Sequence, residues 1–260
     1  MERKRTAVVT GGASGIGFAC AQALAEADWR VIVADCNLAG AATMAEAIGG
    51  IALQLDVADE AQVRGAAARC WREHGPIDGL VNSAGVLQPP IAAEDFDMAR
   101  FDRIMDVNFR GTWLASVAFG TEMARRGQGS IVAIASMATF RALPVHAYAA
   151  SKAAVVQTVQ CLAAEWGRSG VRVNAVSPGY VNTPAMRAQI EAGRRDERRL
   201  AEGAAMGRLV EPIEVGKVVA FLLDDAAGAI TGVNLPVDCG WLVSSHAGGY
   251  GSPTAVPKPY

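Results

Sequence analysis

The regular alternation of short β-branched runs with alanine-rich segments of helical length constrains this chain more than any other feature. The runs are Ala7-Val8-Val9-Thr10, Val31-Ile32-Val33-Ala34, Ile51-Ala52-Leu53-Gln54-Leu55, Leu80-Val81, Ile131-Val132-Ala133-Ile134 and Val171-Arg172-Val173-Asn174-Ala175-Val176. Between them, residues 17–27, 38–48 and 60–73 carry helical patterns. Strands that alternate with helices are joined by right-handed crossovers, which makes the sheet parallel and covers both of its faces. The expected fold is therefore α/β, a doubly wound parallel sheet with helices on both faces. With 260 residues, 51% apolar and 19% charged, one folded domain over 1–260 is expected. The Gly- and Pro-rich stretch 248–260 is read as an irregular tail.

Charge narrows the partners. The 24 basic and 26 acidic residues leave a formal charge of −2, which gives no general attraction to nucleic acid or to an anionic membrane. The first apolar stretch, residues 7–9, is far too short for a signal segment or a membrane span, so a cytoplasmic setting is the expectation. Five cysteines stand singly, without CxxC spacing, and neither they nor the three histidines form a metal-ligand pattern. Residues 101–123 and 147–166 carry apolar or small residues nearly all the way round. A helix of that kind must be buried on every side, and a second subunit is the natural cover for the face turned away from the sheet.

Chemistry enters with Thr10-Gly11-Gly12-Ala13-Ser14-Gly15-Ile16-Gly17, which follows the first strand and opens a helix. Glycines there let backbone N–H groups approach a pyrophosphate at the helix N-terminus. Asp35 closes the second strand 18 residues beyond Gly17, where a carboxylate can accept hydrogen bonds from both ribose hydroxyls of adenosine. A 2′-phosphate would meet like charge there, and neither Ala13 nor Cys36 supplies a cation, so NAD is expected over NADP. Tyr148 and Lys152 are four apart and share one helical face, where the cation favours the phenolate. Ser136, just after a buried strand, is placed to hold a substrate oxygen opposite the tyrosine. Phe140 and Arg141 in the following loop, His146 near the helix start, and the charged segment 187–208 are candidates to border the substrate.

Taken in order, Thr10 to Gly17, Asp56-Val57, Asn82-Ser83-Ala84-Gly85, Asn108, Ser136, Tyr148-Ala149-Ala150-Ser151-Lys152 and Pro178-Gly179 resemble the short-chain dehydrogenase/reductases of compact, roughly 250-residue type. The resemblance spans nearly the whole chain and implies a Rossmann-like sheet with Tyr148 as acid/base, Ser136 and Lys152 beside it, and Asn108 anchoring a water that relays protons from Lys152. It implies further that Gly11, Ser14, Gly15, Ile16 and Gly17 hold the pyrophosphate, that Asp56 and Val57 hold the adenine, and that Asn82, Ala84 and Gly85 line the cofactor floor. Pro178, Gly179, Val181 and Thr183 would follow around the nicotinamide, with Thr183 touching its carboxamide. A homotetramer is implied too, in which the strand near 233–237 lies by another subunit, an arrangement that would let the tail 248–260 cross toward a neighbour's pocket. Two departures stand out: Ser83 replaces the usual second asparagine, and Cys239 breaks the usual paired glycine before Gly240.

The expected activity is NAD-dependent interconversion of a secondary alcohol and a ketone, with a polyol, sugar or small hydroxy compound favoured. Rival readings are a 3-oxoacyl thioester reductase, a non-catalytic dinucleotide-binding sensor or scaffold, a nucleotide-sugar epimerase or dehydratase, and a methyltransferase. The sensor would lose Tyr148, Lys152 or Ser136, the epimerase carries a larger C-terminal domain, and the methyltransferase has no use for the Tyr–Lys pair. Fold alone does not separate them; the site does.

Overall fold

The computed structural model describes residues 3–244, so the tail 248–260 lies outside the described residues. In chain order the principal elements begin β1 (Thr6–Thr10), α1 (Gly15–Glu26), β2 (Arg30–Asp35), α2 (Leu38–Ala47), β3 (Ile51–Gln54), α3 (Glu60–His74) and β4 (Gly79–Asn82). They continue with α4 (Met98–Ile104), α5 (Gly111–Arg126), β5 (Gly129–Ile134), α6 (His146–Trp166), β6 (Val171–Pro178), α7 (Pro184–Glu191), α8 (Glu197–Glu202), α9 (Pro212–Leu223), β7 (Asn234–Val237) and the short α10 (Trp241–Ser244). The strands form one seven-stranded sheet in the order β3-β2-β1-β4-β5-β6-β7, with every pairing parallel. The order reverses between β1 and β4, the place where such a sheet opens a crevice at the carboxyl ends of its strands.

The two-residue period of each strand divides its side chains between two cores. Val8, Ile32, Leu80 and Ile131 face the layer built from α3, α5 and α6, where Phe119 and Met123 are fully buried. Ala7, Val9, Val31 and Val33 face the other layer, against Leu24 of α1, Ala41 of α2 and Val215 and Val219 of α9. Burial on both sides explains why these strands read as continuous apolar runs.

The expected single helix over 101–123 is replaced by three segments. α4 ends at Ile104, residues Met105–Arg110 wind as a π-helix, and α5 resumes at Gly111. The wider turn shifts the hydrogen-bond register and leaves the Asn108 carbonyl to accept from the Thr112 hydroxyl at 2.8 Å. Such bulges collect at functional sites because they re-aim a side chain without ending the helix. The second long helix is continuous, as expected, over His146–Trp166.

Candidate active site

The glycine turn is shaped by two close backbone approaches. Gly11 has φ +66°, and a Cβ there would lie 2.6 Å from the Ala84 Cα. A Cβ on Gly17 would lie 2.0 Å from the Gly11 carbonyl oxygen. Neither position admits a side chain without moving backbone. Ser14 precedes α1 in extended conformation, its hydroxyl makes no capping bond, and the first turn carries no acidic residue. Free N–H groups at the positive end of a helix form an anion site. Thr10 ties this turn to the next strand, its hydroxyl accepting from the backbone N–H of Ser83 at 3.2 Å and of Ala84 at 3.3 Å.

The turn forms one end of a cleft of about 390 Å³ above the carboxyl ends of the strands. Gly11, Ser14, Gly15, Ile16, Gly17, Asp35, Asp56, Val57, Ala84 and Gly85 line it from the first half of the sheet. Ser136, Tyr148, Lys152, Pro178, Gly179, Val181 and Thr183 line it from the second half. Thr183 caps α7 by accepting from Met186 N–H at 3.2 Å, and its methyl lies 3.6 Å from where a Cβ on Gly15 would sit.

Asp35 also braces the loop. One carboxylate oxygen accepts from Ala13 N–H at 3.1 Å and the other from Asn37 N–H at 2.9 Å. The first oxygen retains a lone pair for a further donor, while the second also accepts from the Cys36 thiol at 3.6 Å. Asp56 accepts from Ala58 N–H at 3.0 Å and has Arg103 3.8 Å away, a pair too exposed to contribute much.

At the far end, β5 delivers Ser136 and α6 delivers Tyr148 and Lys152. Burial pushes the Tyr148 phenol above its ordinary range, while a hydrogen bond with the Ser136 hydroxyl pulls it back. Burial pushes the Lys152 ammonium down to about 8, and it donates to the Ile134 carbonyl at 2.7 Å. Its Nζ lies 5.8 Å from the Tyr148 ring centre. In an enclosed site a cation at that range favours the phenolate.

Asn108 lies behind this group and is fully buried. Its Oδ1 accepts from Val86 N–H at 2.8 Å, and its Nδ2 donates to the Val86 carbonyl and the Ser151 hydroxyl, both at 3.1 Å. Asn82 sits beneath the cleft floor and donates to the Ser116 hydroxyl at 2.9 Å. Neither asparagine lines the cleft. Phe140, Arg141 and His146 stand on the segment joining Ser136 to Tyr148, also off the cleft wall. Arg141 donates to the Leu242 carbonyl at 2.9 Å and faces the Trp241 ring at 6.0 Å. Of the segment 187–208, α7 and α8 are bound by two Arg187–Glu197 contacts of 2.9 and 3.0 Å.

Sequence reasoning missed Gln88 and the bridging role of Ser151. Ser151 lies inside the Tyr-x-x-x-Lys stretch and was within reach of its helical period; no local pattern marks Gln88.

The profile of a family described as Enoyl-(Acyl carrier protein) reductase matches residues 11–242. A solved structure described as a short chain dehydrogenase/reductase family protein is 35% identical, superposes with a TM-score of 0.84, and the match covers 94% of this chain and 100% of that one. The chain is a short-chain dehydrogenase/reductase. Among relatives in this family, D-threitol dehydrogenase of Mycolicibacterium smegmatis is 41% identical, the match covering 92% of this chain and 93% of that protein. Galactitol 2-dehydrogenase of Rhizobium johnstonii is 39% identical, with 90% and 94% covered. The cleft has features that fit the nicotinamide dinucleotide of a short-chain dehydrogenase/reductase: a glycine cradle that a Cβ would fill, a helix N-terminus with no side-chain cap, and the Asp35 carboxylate in its wall. Among the described residues no helix is long and apolar enough to cross a membrane.

Proposed function

We propose that this chain is an NAD-dependent dehydrogenase of polyols or other small secondary alcohols, with Tyr148 as the acid/base. The observation that carries the reading is the convergence of Tyr148, Ser136 and Lys152 on one cleft whose opposite end presents Asp35. Gly11, Gly15 and Gly17 would cradle the pyrophosphate and Asp35 the adenosine ribose. When bound, the nicotinamide would accept hydride from the alcohol carbon. Tyr148 Oη takes the hydroxyl proton, and in the reverse direction returns it. The Ser136 hydroxyl holds the same oxygen and shares the charge that develops on it. Lys152 supplies positive charge beside the phenol. Asn108 holds Val86 and Ser151 in place, and through them the floor and the catalytic helix.

The polyol preference draws on the relatives named above and on Asp35, which suits an oxidising NAD couple. Assayed with NAD⁺ and NADP⁺ against four- to six-carbon polyols and simple secondary alcohols, and with NADH and NADPH against a 3-oxoacyl thioester, the protein is expected to be fastest with NAD⁺ and a polyol. Faster reduction of the thioester with NADPH would favour the acyl reductase reading instead.

We also propose a homotetramer built on α5 and α6. Trp113 of α5 is 43% exposed, and with Met105, Asp106, Phe109 and Arg110 of the π-helical segment and Thr158 of α6 it lines a shallow groove. A face that mixes exposed apolar side chains with both signs of charge can match itself about a two-fold axis. Sedimentation is expected to give four copies, and a monomer would remove this part of the reading.

A further inference from the structure

The helix that carries Tyr148 and Lys152 begins without a cap of its own. Val145 stands at the N-cap position and offers no side-chain acceptor. The first turn of a helix leaves orphan N–H groups that normally need one. Here the acceptor comes from a distant part of the chain. Gln88, six residues past the end of β4, is 5% exposed, and its Oε1 accepts from Tyr148 N–H at 3.1 Å. Among the described residues its Nε2 has no hydrogen-bond partner.

Gln88 completes a circuit around one residue. The Tyr148 carbonyl accepts from the Ser151 hydroxyl at 2.7 Å, Ser151 accepts from Asn108, and Asn108 grips both backbone groups of Val86, two residues before Gln88. The Tyr148 N–H is thus held by a side chain from the segment after β4, and its carbonyl by Ser151 of α6, which Asn108 ties back to that same segment. Most helical residues have only their helix neighbours for this purpose. We propose that Gln88 is a positioning residue for the reaction: by capping α6 at Tyr148 it fixes where the phenol stands relative to Ser136 and to the substrate. The inference rests on the dehydrogenase reading given above. An amide suits the role, because it supplies the acceptor without placing a full negative charge beside a residue that must itself become an anion.

The test compares Gln88→Met, which keeps the length and loses the acceptor, with Gln88→Glu, which keeps an acceptor. Both are measured in the full-length protein beside wild type and Tyr148→Phe, for kcat, KM of the best alcohol, NADH affinity by fluorescence and Tm. Gln88→Met is expected to lower kcat about ten- to a hundredfold, with alcohol KM and NADH affinity within about twofold, because misplacing a reacting group costs turnover before binding. Gln88→Glu, whose carboxylate restores the acceptor but opposes the phenolate, is expected to recover most of that loss only at higher pH, with its pH–rate profile displaced upward. Turnover of Gln88→Met within about twofold of wild type would overturn the proposal, as would a parallel loss of kcat and NADH affinity, which marks general loosening. Equal losses in both variants at every pH would assign the role to Nε2 and overturn the capping assignment. If Tyr148→Phe stays active, the dehydrogenase mechanism fails; if it is inactive while Gln88→Met is normal, only the present inference fails.

Discussion

Tyr148→Phe is expected to lower turnover about 10²- to 10⁴-fold while leaving dinucleotide affinity nearly unchanged. The ring fills the same space, so α6 keeps its packing, and the Lys152 bond to the Ile134 carbonyl does not pass through the phenol oxygen. What disappears is the hydroxyl that bonds the Ser136 side chain in the cleft. Phenylalanine offers no acceptor for the alcohol proton, and Ser136, which also accepts from Ala138 N–H at 3.2 Å, is far too weak a base to stand in. An interaction made chiefly in the transition state lowers kcat and kcat/KM together. Steady-state kinetics with the best alcohol, beside an NADH fluorescence titration, checks both halves. Near-normal turnover would show that the proton leaves by another route.

Cofactor choice should turn on Asp35. The double variant Asp35→Ser, Cys36→Arg is expected to raise the NADP/NAD ratio of kcat/KM by about 10²- to 10⁴-fold. The estimate joins two changes: loss of charge-assisted bonds to the ribose, about 1.5–3 kcal/mol, and gain of a guanidinium–phosphate pair of similar worth. NAD efficiency should fall by more than the ribose contacts alone explain, because Asp35 also holds Ala13 and Asn37 by their backbone N–H groups. Serine reaches fewer of these donors. The comparison is kcat/KM with both cofactors for both proteins, and a wild type that already prefers NADP would contradict it.

Much of this site is legible in the chain because its parts are local. The glycine turn, the strand-end acid and the Tyr–Lys spacing each lie within one strand–turn–helix unit, where steric rules and helical period act over a few residues. The five interior strands are legible for the same reason, since burial on both faces leaves a largely unbroken apolar run. β7 is harder to read from pattern: Asn234-Leu235-Pro236-Val237 is an edge strand, partly exposed, and tolerates a proline that an interior strand would reject. The π-helix at Asn108, where the Thr112 hydroxyl donates to the Asn108 carbonyl, is not announced by any residue pattern. Gln88 is invisible at this level, because its meaning comes from a bond across 60 residues to a helix that lacks a cap. Asn82 and Asn108 show a related limit. Their motifs mark them as important, but only the fold shows that they act from behind the cleft, by holding Ser116, Val86 and Ser151.

The most direct test follows the hydrogen itself. A polyol deuterated at its secondary carbon is incubated with NAD⁺ and the protein, and the dinucleotide is then examined by NMR. Deuterium at C4 of the nicotinamide, with a matching ketone formed and the rate reduced in Tyr148→Phe, is the result expected of a Tyr148-driven alcohol dehydrogenase. No label at C4 from any secondary alcohol tried, with protein that binds NADH normally, would contradict it.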